Sequence, residues 1–332
     1  MAEGSVVKIG IMSFAHMHAH GYAGCLKKLP EIEFVGVADD EPARAKQAAK
    51  QYGVKAFATY AEMLASDIDA VIVTSENSHH RRDVVTAAQS EKHVMCEKPL
   101  SVSKADGEAI VEVAKRSGIK LMTAFPCRYH PAFLRLKVAV EACQLGKLLG
   151  IKATNQGQCP GGWFTDKKLA GGGSVIDHTV HLIDLMRCLT GAEPARVYAE
   201  IDNRMFGKEF DDTGVLSVDF TNGMFATIDS SWSRPKSNPF WGNVNMEVVG
   251  TEGVATMEMF AQKIDVFSDK TGKHTYNYWG DDINMALVQA FARCVRENTK
   301  PDITGEDGLK ALEVALAAYE SAKNREMVDM LE

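Results

Sequence analysis

Over roughly the first 125 residues, apolar positions come in short continuous runs divided by stretches of helical character. Val6–Met12 is one such run, rich in β-branched residues, as a strand buried on both faces requires. Glu33–Ala38, Ala70–Thr74, His93–Cys96 and Lys120–Phe125 repeat the pattern. Helices are predicted between them. His18–Leu29 ends at Pro30, and Pro42–Tyr52 has proline in its first turn and Gly53 past its end. Arg81–Gln89 and Ser103–Arg116 follow, the latter stopped by Gly118. Strands alternating with helices predict an α/β domain, a doubly wound parallel sheet of Rossmann type with right-handed crossovers.

Further along, the pattern changes. Val197–Ile201, Gly214–Phe220, Met224–Trp232, Asn245–Val249, Ala255–Met259 and Lys263–Phe267 read as strands, several alternating polar and apolar residues. Turn sequences such as Thr221-Asn222-Gly223 and Asp269-Lys270-Thr271-Gly272 separate them, which predicts antiparallel pairing. Helices are predicted over Pro131–Leu145, Ser174–Leu189, Asn284–Glu297 and Glu306–Lys323, the last with Thr304 as its N-cap. The division expected is a nucleotide-binding domain over 1–127 and a substrate and oligomerisation domain over 128–332. The last helix is free to pack back on the first domain.

Composition narrows the function. At 45% hydrophobic and 24% charged residues, the chain is globular. A net charge of −7 gives no support for nucleic-acid binding. No apolar run reaches the roughly 18 residues of a membrane span, and the start MAEGSVVKIGIM lacks a signal-peptide core. The seven cysteines include no Cys-x-x-Cys pair, which predicts reduced thiols in the cytoplasm.

Candidate chemistry clusters at predicted strand ends. Ser13-Phe14-Ala15-His16-Met17-His18 stands where a dinucleotide fold places Gly-x-Gly-x-x-Gly. Small residues and amides at a helix start still suit an anion, so Ser13, Ala15, His16 and His18 are cofactor candidates. Asp39 ends the second strand, where a carboxylate accepts hydrogen bonds from an adenosine ribose. With Asp40 beside it, it favours NAD over NADP. His16, His18 and His20 resemble the opening of a metal-dependent barrel hydrolase, but the β-rich second half contradicts that fold, and no metal is expected. Glu97-Lys98-Pro99 follows the fourth predicted strand, at the ligand-binding edge of the sheet. A lysine there can stabilise a developing alkoxide. In Gly171-Gly172-Gly173-Ser174-Val175-Ile176-Asp177-His178-Thr179-Val180-His181, Asp177 and His181 stand four apart on one helix face. A carboxylate beside an imidazole suits general acid–base work. Trp163, just before that helix, offers a flat apolar face for a sugar ring.

The combination resembles the glucose–fructose oxidoreductase / inositol dehydrogenase / MocA (Gfo/Idh/MocA) family of NAD(P)-dependent oxidoreductases. Its most specific parts are Glu97-Lys98-Pro99 and the Gly171–Asp184 stretch. Thr74, Asn77 to His80, Arg128-Tyr129-His130-Pro131 and Gly146-Lys147-Leu148 support it. The resemblance implies a second α/β domain with a large, mostly antiparallel open sheet that builds homodimers or homotetramers. It implies NAD as cofactor and a sugar, sugar derivative or cyclitol as substrate. It makes Lys98, Asp177 and His181 catalytic: His181 takes the hydroxyl proton, Lys98 holds that hydroxyl, and Asp177 positions the substrate or the Lys–His pair. It places Asp39, Thr74, Asn77, His80, Glu97 and Lys98 by the cofactor, and Arg128, Trp163 and His178 by the substrate. Two other readings stay open: a glycoside-cleaving enzyme that transiently oxidises C3, and a ligand-sensing regulator without catalysis.

Overall fold

A computed structural model describes residues 6–278 and 280–331. Trp279 and the first five residues, on which part of the amino-terminal reading falls, lie outside the described residues. The chain packs as two compact units. The first runs to Pro126 and also takes Lys168–Gly171 and Ile283–Leu312; the second holds Cys127–Lys167, Gly172–Asp282 and the residues from Glu313.

The first unit is built on six parallel strands: β1 (Val7–Met12), β2 (Ile32–Ala38), β3 (Lys55–Ala56), β4 (Ala70–Val73), β5 (His93–Glu97) and β6 (Leu121–Ala124). Their order is β3-β2-β1-β4-β5-β6. Such an order reverses direction between β1 and β4, and ligands of open α/β sheets bind at the carboxyl edge there. β4 is buried end to end: none of its residues exceeds 0% exposure, which is why Ala70-Val71-Ile72-Val73 reads as one apolar run. β3 escapes the sequence pattern because its two residues are both exposed. The helix Tyr60–Leu64 escapes it too, being one turn capped by Thr59. The helix Gly305–Asn324 begins as its sequence indicates: Thr304 Oγ1 accepts from Asp307 N (3.1 Å), and Thr304 N donates to the Asp307 carboxylate (2.8 Å).

The second unit carries a seven-stranded sheet made by β7 (Leu148–Gln156), β8 (Pro194–Asp202), β9 (Thr213–Phe220), β10 (Phe225–Ser231), β11 (Asn245–Gly250) and β12 (Val254–Glu258), with a hairpin of β13 (Lys263–Ser268) and β14 (Lys273–Tyr278) apart from it and β15 (Val328–Asp329) at its edge. The order is β12-β11-β7-β10-β9-β8-β15. Every pair is antiparallel except β7 with β10. Ile151, Ala153, Leu216, Val218, Ala226, Ile228, Met246 and Val248 point to the buried face. The helix Ser174–Thr190 packs on β7, β9 and β10. β7 was not evident from sequence because alanine and asparagine take positions where large apolar residues would signal a strand.

Candidate active site

Ser13 leaves β1 with φ +72°, the left-handed region that glycine enters without a Cβ penalty. Serine thus takes the conformation of the missing first glycine, and its side chain fastens the turn. Ser13 Oγ accepts from Ala15 N (3.1 Å) and donates to Asp39 Oδ2 (3.2 Å). Thr74 closes the other side: its hydroxyl donates to Ser13 O (2.7 Å), and its carbonyl accepts from His16 N (3.0 Å).

Asp39 departs from expectation. Oδ2 accepts from Phe14 N (2.6 Å), Ser13 Oγ and Arg44 Nε (2.7 Å), and Oδ1 accepts from Glu41 N (2.9 Å) and Arg44 Nη2 (2.7 Å). A carboxylate offers about four lone-pair sites. Asp39 is therefore saturated from within the unit and does not present bare oxygens to a ribose. The acidic pair is also neutralised, since Asp40 pairs with Arg82 (2.5 Å). Repulsion of a 2′-phosphate by two unpaired acids, the sequence argument for NAD, is corrected accordingly. Arg44 was missed, although its place in the first turn of the helix after Asp39 carried the signal.

His80 is also reassigned. It is wholly buried, with Nδ1 against Pro99 O (3.0 Å) and Nε2 against Ser75 O (3.2 Å). Both ring nitrogens face backbone carbonyls within the unit, so His80 sits between the turn after Lys98 and the loop after β4 and turns neither nitrogen toward a cofactor. Burial lowers its pKa, against the opposing pull of Asp83 and Glu97. Asn77 fits the cofactor reading better. Its amide nitrogen donates to Ala170 O (2.9 Å), while Oδ1 is a buried acceptor without a donor from the protein. Such an atom costs stability unless a ligand or water satisfies it. The residues present thus fit a polar ligand at the switch point between β1 and β4.

Glu97 is fully buried at the end of β5. Oε1 meets His18 Nδ1 (3.0 Å) and the Tyr22 hydroxyl, and Oε2 accepts from Lys98 N (3.0 Å). Burial by itself would raise this carboxyl's pKa; His18, His16 and Lys98 outweigh it and hold the group well below the usual carboxylate range. Lys98 follows, 4% exposed. His16 Nδ1 accepts from His18 N (3.1 Å), whereas His20 faces outward to Tyr52. One donor atom each from His16, His18 and Glu97 lie within 4.8 Å of one another, a spacing compatible with a metal ion.

In the second unit Gly172 and Gly173 serve the helix start. A Cβ on Gly173 would lie 2.0 Å from Asp211 O, and one on Gly172 would lie 2.2 Å from the Tyr319 hydroxyl. The Asp211 carboxylate accepts from Gly173 N (2.7 Å) and Val175 N (2.8 Å), and Tyr319 donates to it (2.8 Å). An acidic side chain therefore already occupies this helix N-terminus. Burial, then Asp211, keeps the Tyr319 hydroxyl protonated far above its ordinary range. Neither residue was identified from sequence, because they lie 38 and 146 residues from Gly173.

The helix then presents Asp177 and His181, at 8% and 9% exposure. Asp177 Oδ2 accepts from Trp232 Nε1 (3.3 Å) and faces His178 Nε2 (3.2 Å). Asp184, fully buried, takes a two-pronged bond from Arg128 through Nε (2.8 Å) and Nη2 (2.6 Å). Arg128, a substrate candidate, thus uses its fork to anchor the helix. Trp163 stacks on Phe164 with centroids 3.9 Å apart, against an aromatic cluster of Phe164, Phe210 and Trp232.

Comparison with known proteins agrees with this architecture. The profile described as "Oxidoreductase family, NAD-binding Rossmann fold" matches residues 5–125, and the "GFO/IDH/MocA C-terminal domain" profile matches residues 133–256. Myo-inositol 2-dehydrogenase of Thermotoga maritima is 28% identical, over 98% of both chains. The scyllo-inositol 2-dehydrogenase (NAD(+)) of Bacillus subtilis is 26% identical, over 96% of this chain and 94% of its own. GenD2 from gentamicin A biosynthesis, solved in complex with NAD, superposes with a TM-score of 0.91 at 22% identity, covering 99% of this chain and 97% of its own. With both profiles in place on a β3-β2-β1-β4-β5-β6 sheet and a mixed seven-stranded sheet, the chain belongs to the Gfo/Idh/MocA family of oxidoreductases, its amino-terminal domain an NAD-binding Rossmann fold.

Proposed function

We propose that the protein is an NAD-dependent dehydrogenase that oxidises a carbinol carbon of a sugar, sugar derivative or cyclitol. The observation that carries this reading is a buried Lys98 at the carboxyl edge of the NAD-binding sheet, together with a buried Asp177–His181 set on one helix face. Bound NAD supplies the hydride acceptor. His181 takes the proton of the substrate hydroxyl at a ring nitrogen. Lys98 Nζ donates to that oxygen and stabilises the charge it gains as the proton leaves. Asp177 accepts a hydrogen bond from a neighbouring hydroxyl and orients the ring, with Trp163 lining the approach. Ser13, Ala15, His16, His18 and Asn77 hold the dinucleotide, and Glu97 fixes Lys98 from behind. Relatives named as inositol dehydrogenases support the substrate class. The test is a panel of cyclitols, aldoses and glycosides with NAD, reading NADH at 340 nm. No NADH from any polyol counts against the reading.

Arg44 and Asp39 set the choice between cofactors. By holding the Arg44 guanidinium, Asp39 keeps it from a 2′-phosphate and so leaves NAD preferred. Asp39→Ala frees Arg44 and should move the preference toward NADP; Arg44→Ala should sharpen it toward NAD. The ratio of kcat/KM for the two cofactors, on one substrate, checks both. Equal ratios in all three proteins would remove these residues from cofactor choice.

The His16–His18–Glu97 cluster acts as an ion-pair network, since His18 Nδ1 already faces Glu97 and His16 Nδ1 already accepts from His18 N. Metal analysis of the purified protein should show no stoichiometric zinc or manganese, and chelation should leave turnover unchanged. Activity lost to a chelator and restored by one metal would contradict this.

The protein acts in the cytoplasm as a homodimer or homotetramer joined through the second unit's sheet. Exposed Val215 and Phe225 on neighbouring strands support the assembly, and the lack of any Cys-x-x-Cys pair in the sequence supports the compartment. Among the described residues no helix is long and apolar enough to cross a membrane.

A further inference from the structure

Asp177 and His178 are adjacent in a helix, where neighbouring side chains diverge by about 100°. Even so, His178 Nε2 lies 3.2 Å from Asp177 Oδ2. Its other nitrogen, Nδ1, lies 2.8 Å from the Asn155 carbonyl oxygen in β7. A carbonyl only accepts, so Nδ1 carries a hydrogen. A neutral imidazole has one N–H. In that form Nε2 would aim a bare lone pair at a carboxylate, with both residues buried at 5% and 8% exposure. A second proton between Nε2 and Oδ2 removes the conflict. The ring also has a built seat: a Cβ on Gly157 would lie 2.9 Å from His178 Cε1 and 3.2 Å from Nε2.

We infer that His178 is held as an imidazolium between Asn155 and Asp177 and is the positioning residue that fixes the Asp177 carboxylate for substrate. This rests on the reading of Asp177 as a substrate-contacting group. His178 itself has both ring nitrogens engaged within the unit, so it acts through Asp177 and replaces the direct substrate contact anticipated from sequence. From other elements, Trp232 Nε1 donates to the same Oδ2 (3.3 Å), and the Cys159 thiol lies within electrostatic reach of Asp177, Asp212 and Lys236. Burial foremost pushes that thiol's pKa up, so it adds no charge near neutrality.

Two measurements decide the matter. Ring nitrogen-15 NMR on the folded wild-type protein at pH 7, with His178 assigned by its loss in His178→Gln, should show both nitrogens protonated. A neutral ring with a bare Nε2 overturns the inference, whatever the enzyme's activity. In kinetics, His178→Gln keeps an N–H donor near Nε2, so it should retain most turnover. His178→Ala should lower kcat/KM about tenfold to a hundredfold, the effect of losing a hydrogen bond to a charged group. Gly157→Ala, which displaces the ring, should reproduce that loss. A wild-type kcat/KM in His178→Ala also overturns the inference. If the wild-type protein oxidises no polyol, the proposed activity fails while the NMR result still stands on its own.

Discussion

Lys98→Met is expected to lower kcat by orders of magnitude while NAD still binds. Methionine keeps the bulk of the buried stem and removes the only part the chemistry uses, the cation. His181→Ala should cost a similar amount, since a general acid–base group contributes about 10²–10⁴-fold. The pH dependence follows from the direction of proton transfer. His181 must be neutral to accept a proton during oxidation, so kcat/KM falls as acidity protonates it. Steady-state kinetics over a pH series, with NAD affinity measured separately by fluorescence titration, tests both substitutions. Near-wild-type turnover in either variant removes that residue from the reaction.

Gly173→Ala should strongly destabilise the second unit. Its Cβ would stand 2.0 Å from Asp211 O and 2.9 Å from that residue's backbone N and C. Those are main-chain atoms at the end of a segment that also supplies the cap, so they cannot move without breaking the bonds from Gly173 N and Val175 N. Overpacking combined with a lost cap costs about 3 kcal/mol or more. Thermal unfolding followed by circular dichroism should show Tm lowered by several degrees. A Tm equal to that of the wild-type protein would mean Gly173 is not there for close packing.

The parallel sheet was legible because burial on both faces leaves continuous apolar runs such as Ile9–Met12 and Ala70–Val73. The second sheet was less so, since one face is open. The second half of β7 alternates Lys152, Thr154 and Gln156 outward with Ala153 and Asn155 inward, and so reads as largely polar. Asp177 and His181 were found by local spacing, which a sequence displays directly. Their supports were not, because Asn155, Asp211, Trp232 and Tyr319 reach the helix from distant strands, loops and the last helix. The glycine-poor turn shows a different limit. Residue type suggested a lost fingerprint, yet Ser13 adopts the left-handed conformation that the fingerprint's glycine exists to allow.

The measurement that tests the central claim most directly is isotope transfer. A cyclitol or aldose carrying deuterium at a carbinol carbon is incubated with NAD and the wild-type protein, and the nicotinamide product is examined by mass spectrometry. The account predicts deuterium in NADH in equal amount to the ketone or lactone formed, with transfer by Lys98→Met slowed by orders of magnitude. Across a panel of such substrates and deuterated glycosides, aglycone release without net NADH would contradict it in favour of redox-assisted cleavage. No deuterium in the cofactor from any of them, with ligand binding intact, would contradict it in favour of a sensor without catalysis.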